Sequence, residues 1–297
     1  MLEQGDAVSR DRAAQLWLGT LVEISVRARA AATRQAALAA GFAAIERVHR
    51  ALSAQDPASE LSRLNRSAAR QVQFVSEDLR AVLRRALEIA RRSSGVFDPT
   101  VGALRFDDAL ARRDVAAATW RDVELDARGV RFHRLLALDF DGIAKGYAVD
   151  CAIAALRSHG ASAGEVNAGG DLRVFGAKAQ AVHVRTSGPQ AIIVPLVALC
   201  DGAVATSACG GQRRLRQGRW TAPLADRRSK LPRMSTRTVS VIAPDCITAD
   251  ALTKVVALEG AASVQLLAEC GAVAAILSPA RGRWRCTRIP DSSAAAA

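Results

Sequence analysis

The stretch DFDGIAKGYAVDCAIAALRSHGASAGEVNAGGDLRVFG, residues 139–176, carries most of the information about fold class. Its first four residues form a Gly-containing turn, and from near Lys145 apolar residues recur at helical spacing until Gly160 closes the segment. Residues 163–176 then read as strand, Gly-Gly turn and strand, an antiparallel hairpin. The helix thus feeds a hairpin rather than another parallel strand. The rest of the chain is equally non-alternating, so the expected class is α+β, with mixed or antiparallel sheets and packed helices.

Toward the N-terminus, LWLGTLVEISVRA (16–28) alternates as one strand, and residues 30–52 carry a long Ala-rich helical pattern. DPASELSRLNRS (56–67) supplies a turn and a short helix that Asn65 is expected to end. SEDLRAVLRRALEIARRSSG (76–95) reads as a helix with Ser76 as N-cap and Gly95 just past its end. Pro99 makes VFDPTVGAL (96–104) a rigid loop, and two short runs between 120 and 140 turn at 127–129. Toward the C-terminus, strands are expected at 181–186, 191–196, 203–207, 236–244 and 271–278, and helices at 249–260 and 262–270. Residues 209–234 form a basic, irregular stretch. The expected organisation is one domain over 16–280, with room for two intertwined lobes, flanked by an N-terminal arm (1–15) and a C-terminal tail (281–297).

The net charge of +12 comes from arginines scattered along the chain, with only four lysines among 41 basic residues and 4% aromatics. A nucleic-acid binder would cluster that charge and interleave aromatic side chains, so no nucleic-acid partner is expected. Six cysteines without a C-x-x-C pair and four histidines without ligand spacing indicate neither a zinc site nor a disulfide framework. No apolar run approaches about 18 residues, so no integral membrane segment is expected. The first twenty residues lack an apolar signal core, the pattern of a cytoplasmic protein; a misassigned start codon would admit an export signal and a periplasmic address.

Four segments carry potential chemistry. In DGIAKGYAVD (141–150), Gly142 and Gly146 flank Lys145 where a helix begins, a place suited to an anion; the same glycines also fit an ordinary turn and close packing. VNAGGD (166–171) sets Asn167 and Asp171 beside a turn that Gly169 and Gly170 leave open to a ligand, or is a plain hairpin. FDPTVGAL places Asp98 and Thr100 on a stiff loop that equally serves as a helix stop. Asp250 and Lys254 project from one helix face, either as a site or as an exposed ion pair.

In order, WLGTLVEI, LSAQDPASELSRLN, SSGVFDPTVGAL, DFDGIAKGYAVD, GEVNAGGDLRVFG, VATSACGG and TVSVIAPDCITADALTKVVALEG resemble the FAD:protein FMN transferase family, also called ApbE. The resemblance covers roughly 17–280 and implies a T-fold-related α+β architecture that binds FAD and a divalent metal, usually magnesium. It implies transfer of FMN from FAD to a Thr or Ser of an acceptor flavoprotein with release of AMP; some relatives hydrolyse FAD instead. By motif, Phe97, Asp98, Thr100, Asp139 and Lys145 would contact the flavin nucleotide, with Asn167, Gly169 and Gly170 lining the same cleft. Leu18 and Gln55 fall where the family has a methionine and an aromatic residue that pack on the flavin. The metal would be held by the Gly142 carbonyl, Asp250 and the residue at 254. Lys145, Asp250 and Asp226 would carry the catalysis.

Two departures bear on that chemistry. Lys254 replaces an oxygen donor, and an ammonium has three donors and no acceptor. Lys254 is therefore expected to point into the site with Asp250 as its partner, replacing the metal's charge or reaching the diphosphate. In PLADRRSKLP (223–232), Asp226 and Pro232 fit the family pattern, but Pro223 stands where a histidine would orient or deprotonate the acceptor hydroxyl. These changes keep two other readings open, a non-catalytic FAD carrier and an FAD pyrophosphatase.

Overall fold

The computed structural model describes residues 8–101, 117–186, 191–208, 237–280 and 283–289, with four short strands between 209 and 236. The helices are α1 (Ala31–Leu52), α2 (Glu60–Ser67), α3 (Glu77–Arg92), α4 (Ala144–Ser158), α5 (Cys246–Glu259) and α6 (Val264–Glu269). The strands begin with β1 (Ser9–Trp17), β2 (Thr20–Ala28), β3 (Val123–Asp126), β4 (Gly129–Phe132), β5 (Ala163–Ala168), β6 (Asp171–Phe175), β7 (Gln180–Arg185), β8 (Ile193–Leu199) and β9 (Gly202–Ala208). They continue with β10 (Arg214–Arg216), β11 (Arg219–Thr221), β12 (Leu224–Asp226), β13 (Leu231–Arg233), β14 (Thr238–Ala243), β15 (Val273–Ala280) and β16 (Arg283–Ile289).

Eight strands form one antiparallel sheet in the order β1-β2-β5-β6-β9-β14-β15-β16; α1, α4 and α5 pack on it, and α4 also packs on α1 and on α5. The class is α+β with an antiparallel sheet and packed helices, as the sequence implies. Period-two alternation supplies the buried face. Val22, Ile24 and Val26 of β2 are fully buried opposite Ala168, Val166 and Gly164 of β5, and Val241 of β14 is buried opposite Ala205 of β9. Each such Val or Ile contributes about 1.5 to 3 kcal/mol by leaving water. α1 matches that face with Ala37, Gly41, Ile45, Val48 and Leu52; a Cβ on Gly41 would lie 2.9 Å from the Ile24 side chain.

Several expectations need correction. Residues 16–28 are two strands joined at Leu18 and Gly19, both at positive φ (56° and 71°). The apolar alternation runs straight through this turn because Leu18 is not a residue that announces one. The edge strand begins at Ser9, inside the stretch expected as an arm, and β16 lies inside the expected tail. The α2 helix runs on to Ser67 past Asn65, whose side chain accepts from the Leu138 N–H (2.9 Å) and donates to its carbonyl (3.0 Å). α5 starts three residues before 249, because Asp245 caps it by accepting the Thr248 N–H at 2.9 Å. Cys246–Glu269 is long and apolar enough to cross a membrane by length and composition alone, although Asp250, Lys254 and Glu259 interrupt its apolar run; Gly260 (φ 58°) breaks it, and its α5 part packs against α4, β9 and β14.

Candidate functional site

Two tight turns meet at one end of the large sheet. Gly169 and Gly170 adopt positive φ (63° and 102°) between β5 and β6, and a Cβ on Gly169 would lie 2.4 Å from Thr20 Oγ1, beside the Leu18–Gly19 turn. Only glycine permits both that conformation and that approach. Asn167 Oδ1 accepts the Gly170 N–H at 3.0 Å, and the Gly170 carbonyl accepts the Thr206 N–H at 3.0 Å, which ties the turn to β9.

Beside these turns lies a four-charge cluster. The Lys145 ammonium, on the second residue of α4, pairs with Asp171 at the start of β6, and the Lys254 ammonium pairs with Asp250 on α5. Both carboxylates are buried, Asp171 at 1% and Asp250 at 0% exposure, whereas 31% of the Lys145 side chain is exposed. Lys145 is therefore the charge in this cluster with the most access to a ligand. Burial works against its ammonium, yet the charges of Asp171 and Asp250 raise its affinity for the proton above the ordinary lysine value. Burial and the Asp250 charge push the Asp171 carboxyl up, partly offset by Lys145 and Lys254. For Asp250, burial is outweighed by Lys254, Lys145 and the Gly146 N–H, which together hold its carboxyl below the usual range.

Lys254 is more tightly held than Lys145. Its Nζ donates to Asp250 Oδ1, to the Asp250 backbone carbonyl (3.2 Å) and to Ser207 Oγ (3.1 Å), and the other Asp250 oxygen, Oδ2, accepts the Gly146 N–H at 3.2 Å. Ser207 Oγ is also 2.8 Å from Thr253 Oγ1.

Residues without a role in the sequence motifs fix this geometry. Asp150 of α4 accepts the Cys246 and Ile247 N–H groups (2.9 Å each), so it caps α5 from a neighbouring helix, and Arg173 of β6 balances its charge at 2.6 Å. In return, Asp250 of α5 accepts from Gly146 in the first turn of α4. Each helix thus lends a carboxylate to the other's positive end. Their contact leaves no space at Gly146, where a Cβ would stand 2.3 Å from the Cys246 carbonyl oxygen. The available signal was the four-residue spacing from Gly146 to Asp150, which puts both on one helix face. The buried Cys246 thiol is pushed well up by burial and by Asp150, Asp171 and Asp250, so it stays protonated and is no nucleophile.

The remaining candidate residues divide. Asp98 holds its own loop, accepting the Thr100 N–H (2.9 Å), the Thr100 hydroxyl (2.7 Å) and the Trp120 N–H (3.3 Å). The Asp139 N–H donates to the Pro99 carbonyl (2.8 Å), and Asp139 Oδ1 accepts the Asp141 N–H (2.9 Å), joining that loop to the turn before α4. A Cβ on Gly142 would lie 3.2 Å from Lys254 Cε and 3.5 Å from the Phe97 ring, so Phe97, Gly142 and Lys254 share one wall. Gln55 is exposed on the bend after α1. Asp226 ends β12, but its side chain lies outside the described residues, as do Pro223 and residues 102–104 of the rigid loop.

The ApbE family profile matches residues 18–277. The chain belongs to the ApbE family. The FAD:protein FMN transferase of Treponema pallidum is 31% identical over 192 residues, 56% of this chain and 51% of that protein. That of Rhodobacter capsulatus is 31% identical over 175 residues, 53% of this chain and 33% of its own length. The chain therefore spans about half or less of these two relatives. The crystal structure of the ApbE protein of Thermotoga maritima matches with a TM-score of 0.77 at 26% identity, over 90% of this chain and 94% of that one. The flavin transferase ApbE of Vibrio cholerae matches with a TM-score of 0.79 at 20% identity over 95% of this chain and 97% of that one, a likeness of fold.

Against the metal that ApbE membership implies, the donor chemistry does not fit. Among the described residues no group of three or more His, Cys, Asp or Glu is placed to hold an ion. Both Asp250 carboxylate oxygens already accept hydrogen bonds, and the third expected ligand is an ammonium.

Proposed function

We propose that this chain transfers FMN from FAD to a Ser or Thr hydroxyl of an acceptor flavoprotein, releasing AMP. The observation that carries the reading is the family match over 18–277, which is supported by the Lys145–Asp171 and Lys254–Asp250 pairs lying within its motifs. In the transfer, the acceptor oxygen attacks the phosphorus on the FMN side of the diphosphate, a P–O bond forms, the bridging P–O bond breaks, and AMP departs. Negative charge grows on the phosphate oxygens, and a partly exposed, permanently charged Lys145 is suited to stabilise it. Phe97 and the Gly169–Gly170 turn offer a wall and a close backbone approach to the bound nucleotide. With Pro223 at the place of the family's histidine, the hydroxyl proton is assigned to Asp226, the carboxylate of the same PLADRRSKLP segment. Asp250 is a poor base, because its carboxyl is held below the usual range and both its oxygens accept hydrogen bonds.

Purified protein incubated with FAD and a Ser/Thr-bearing acceptor should give covalent flavin on the acceptor and one AMP per flavin. One specific observation, Pro223 at the place of a histidine, favours a second reading in which FAD is held without transfer. Retained FAD with neither product would establish that reading, and AMP without covalent flavin would make the protein a pyrophosphatase.

A further inference from the structure

Three oxygens converge on one ammonium in this site. Asp250 Oδ1, the Asp250 carbonyl and Ser207 Oγ all accept from Lys254 Nζ, which uses every donor the group possesses. Such a shell of a carboxylate, a carbonyl and a hydroxyl is what a hard cation would otherwise gather. The surrounding charges are already balanced, two buried aspartates against two lysines, so a divalent ion would have to displace an ammonium and leave the cluster with excess positive charge. The Lys254 stem is also fixed, with Cε packed where Gly142 has no side chain.

We infer that the Lys254 ammonium is the resident cation of this site, so that the protein binds its nucleotide diphosphate without a divalent metal. Lys254 holds Asp250 ionised and α5 in register, and of the two lysines Lys145 is the one left to face the phosphates. The inference concerns the same site as the flavin-transfer reading and sharpens it, but its metal arm is measured without flavin.

Manganese titration of the full chain, followed by the electron paramagnetic resonance signal of free Mn²⁺, is the direct test. The wild type should bind no Mn²⁺, while Lys254→Thr or Lys254→Ser, which free the three oxygens, should gain a site that Asp250→Asn removes. Mn²⁺ bound by the wild type and lost in Asp250→Asn would overturn the inference, and so would folded Lys254 variants that gain nothing. In parallel, FAD affinity from flavin fluorescence should agree within about twofold between EDTA and millimolar magnesium for the wild type. In Lys254→Thr it should become dependent on magnesium by about tenfold or more. Magnesium-dependent FAD binding by the wild type would refute the resident-cation role. Failure to bind FAD in either buffer, with the manganese results as expected, would remove the flavin reading and leave the cation assignment standing.

Discussion

The two lysine–aspartate pairs on either side of the α4–α5 contact look alike in composition and differ in what they can do. Lys145 reaches across from a helix to a strand carboxylate, and nearly a third of its side chain is exposed. Lys254 pairs within its own helix and spends its remaining donors on a carbonyl and a serine. An ammonium that keeps donors and solvent access can meet an incoming anion, whereas one that is saturated holds neighbouring oxygens in place. The same residue type thus serves recognition in one pair and architecture in the other.

The largest test of that division exchanges the fates of the two lysines. Lys145→Met should cut flavin transfer by about 10² to 10³-fold, since it removes a charge aimed at developing negative charge. Lys254→Met should act mainly on stability, costing about 3 to 5 kcal/mol because Asp250 is left buried without its partner. Transfer rates normalised to folded protein, beside denaturant midpoints, separate the two. A greater loss of FAD binding in Lys254→Met than in Lys145→Met would reverse the roles.

A second test moves the helices that carry both pairs. Gly146→Ala introduces a Cβ into the Cys246 carbonyl, which backbone cannot yield cheaply, so the expected loss is about 1 to 3 kcal/mol with both ion pairs strained together. An unchanged midpoint in urea would show that α4 and α5 do not need this contact. Asp150→Asn is milder: its one amide oxygen can still accept from one of the two α5 N–H groups, while the other loses its acceptor and Arg173 its counter-charge, and about 1 to 2 kcal/mol should be lost.

These residues also mark where sequence reading stops. Local signals identified α3, because Ser76 and Gly95 bracket a periodic segment, and the β5–β6 hairpin, because Gly169 and Gly170 are adjacent. The candidate residues Lys145, Asp250, Lys254, Gly142 and Phe97 do lie together. What stayed hidden depends on distance in sequence or on unusual backbone. Asp150 caps a helix 96 residues away, so no spacing rule reaches it. Leu18 turns a hairpin at a φ that apolar residues rarely adopt, and Asn65 looks like a helix stop when it instead clamps Leu138. The polar edge strand from Ser9 to Trp17 has little buried surface to generate an alternating pattern.

The smallest effect should come from the opposite side of α4, and it separates support of the helix from chemistry at its end. Asp78 of α3 accepts Arg47 of α1 at 2.7 and 3.2 Å and the Tyr147 hydroxyl of α4 at 2.8 Å. The Arg47 hydrogen bond, outweighing burial and aided by Tyr147, holds its carboxyl below the usual range. A depressed carboxylate stabilises the fold above its unfolded pKa, and that contribution is lost as pH falls through the folded value. Asp78→Asn should therefore be less stable than the wild type near neutral pH. Because the Arg47 side chain is 57% exposed, solvent screening limits the difference to about 1 kcal/mol. The gap should close as pH falls through the depressed folded pKa, below the usual carboxylate range, where the wild-type carboxylate is protonated as well. Flavin transfer at neutral pH should stay near the wild-type rate, because this three-helix clasp lies away from the Lys145–Asp171 pair. A loss of transfer comparable to that of Lys145→Met would mean that the seating of α4, rather than the charge it presents, governs the site.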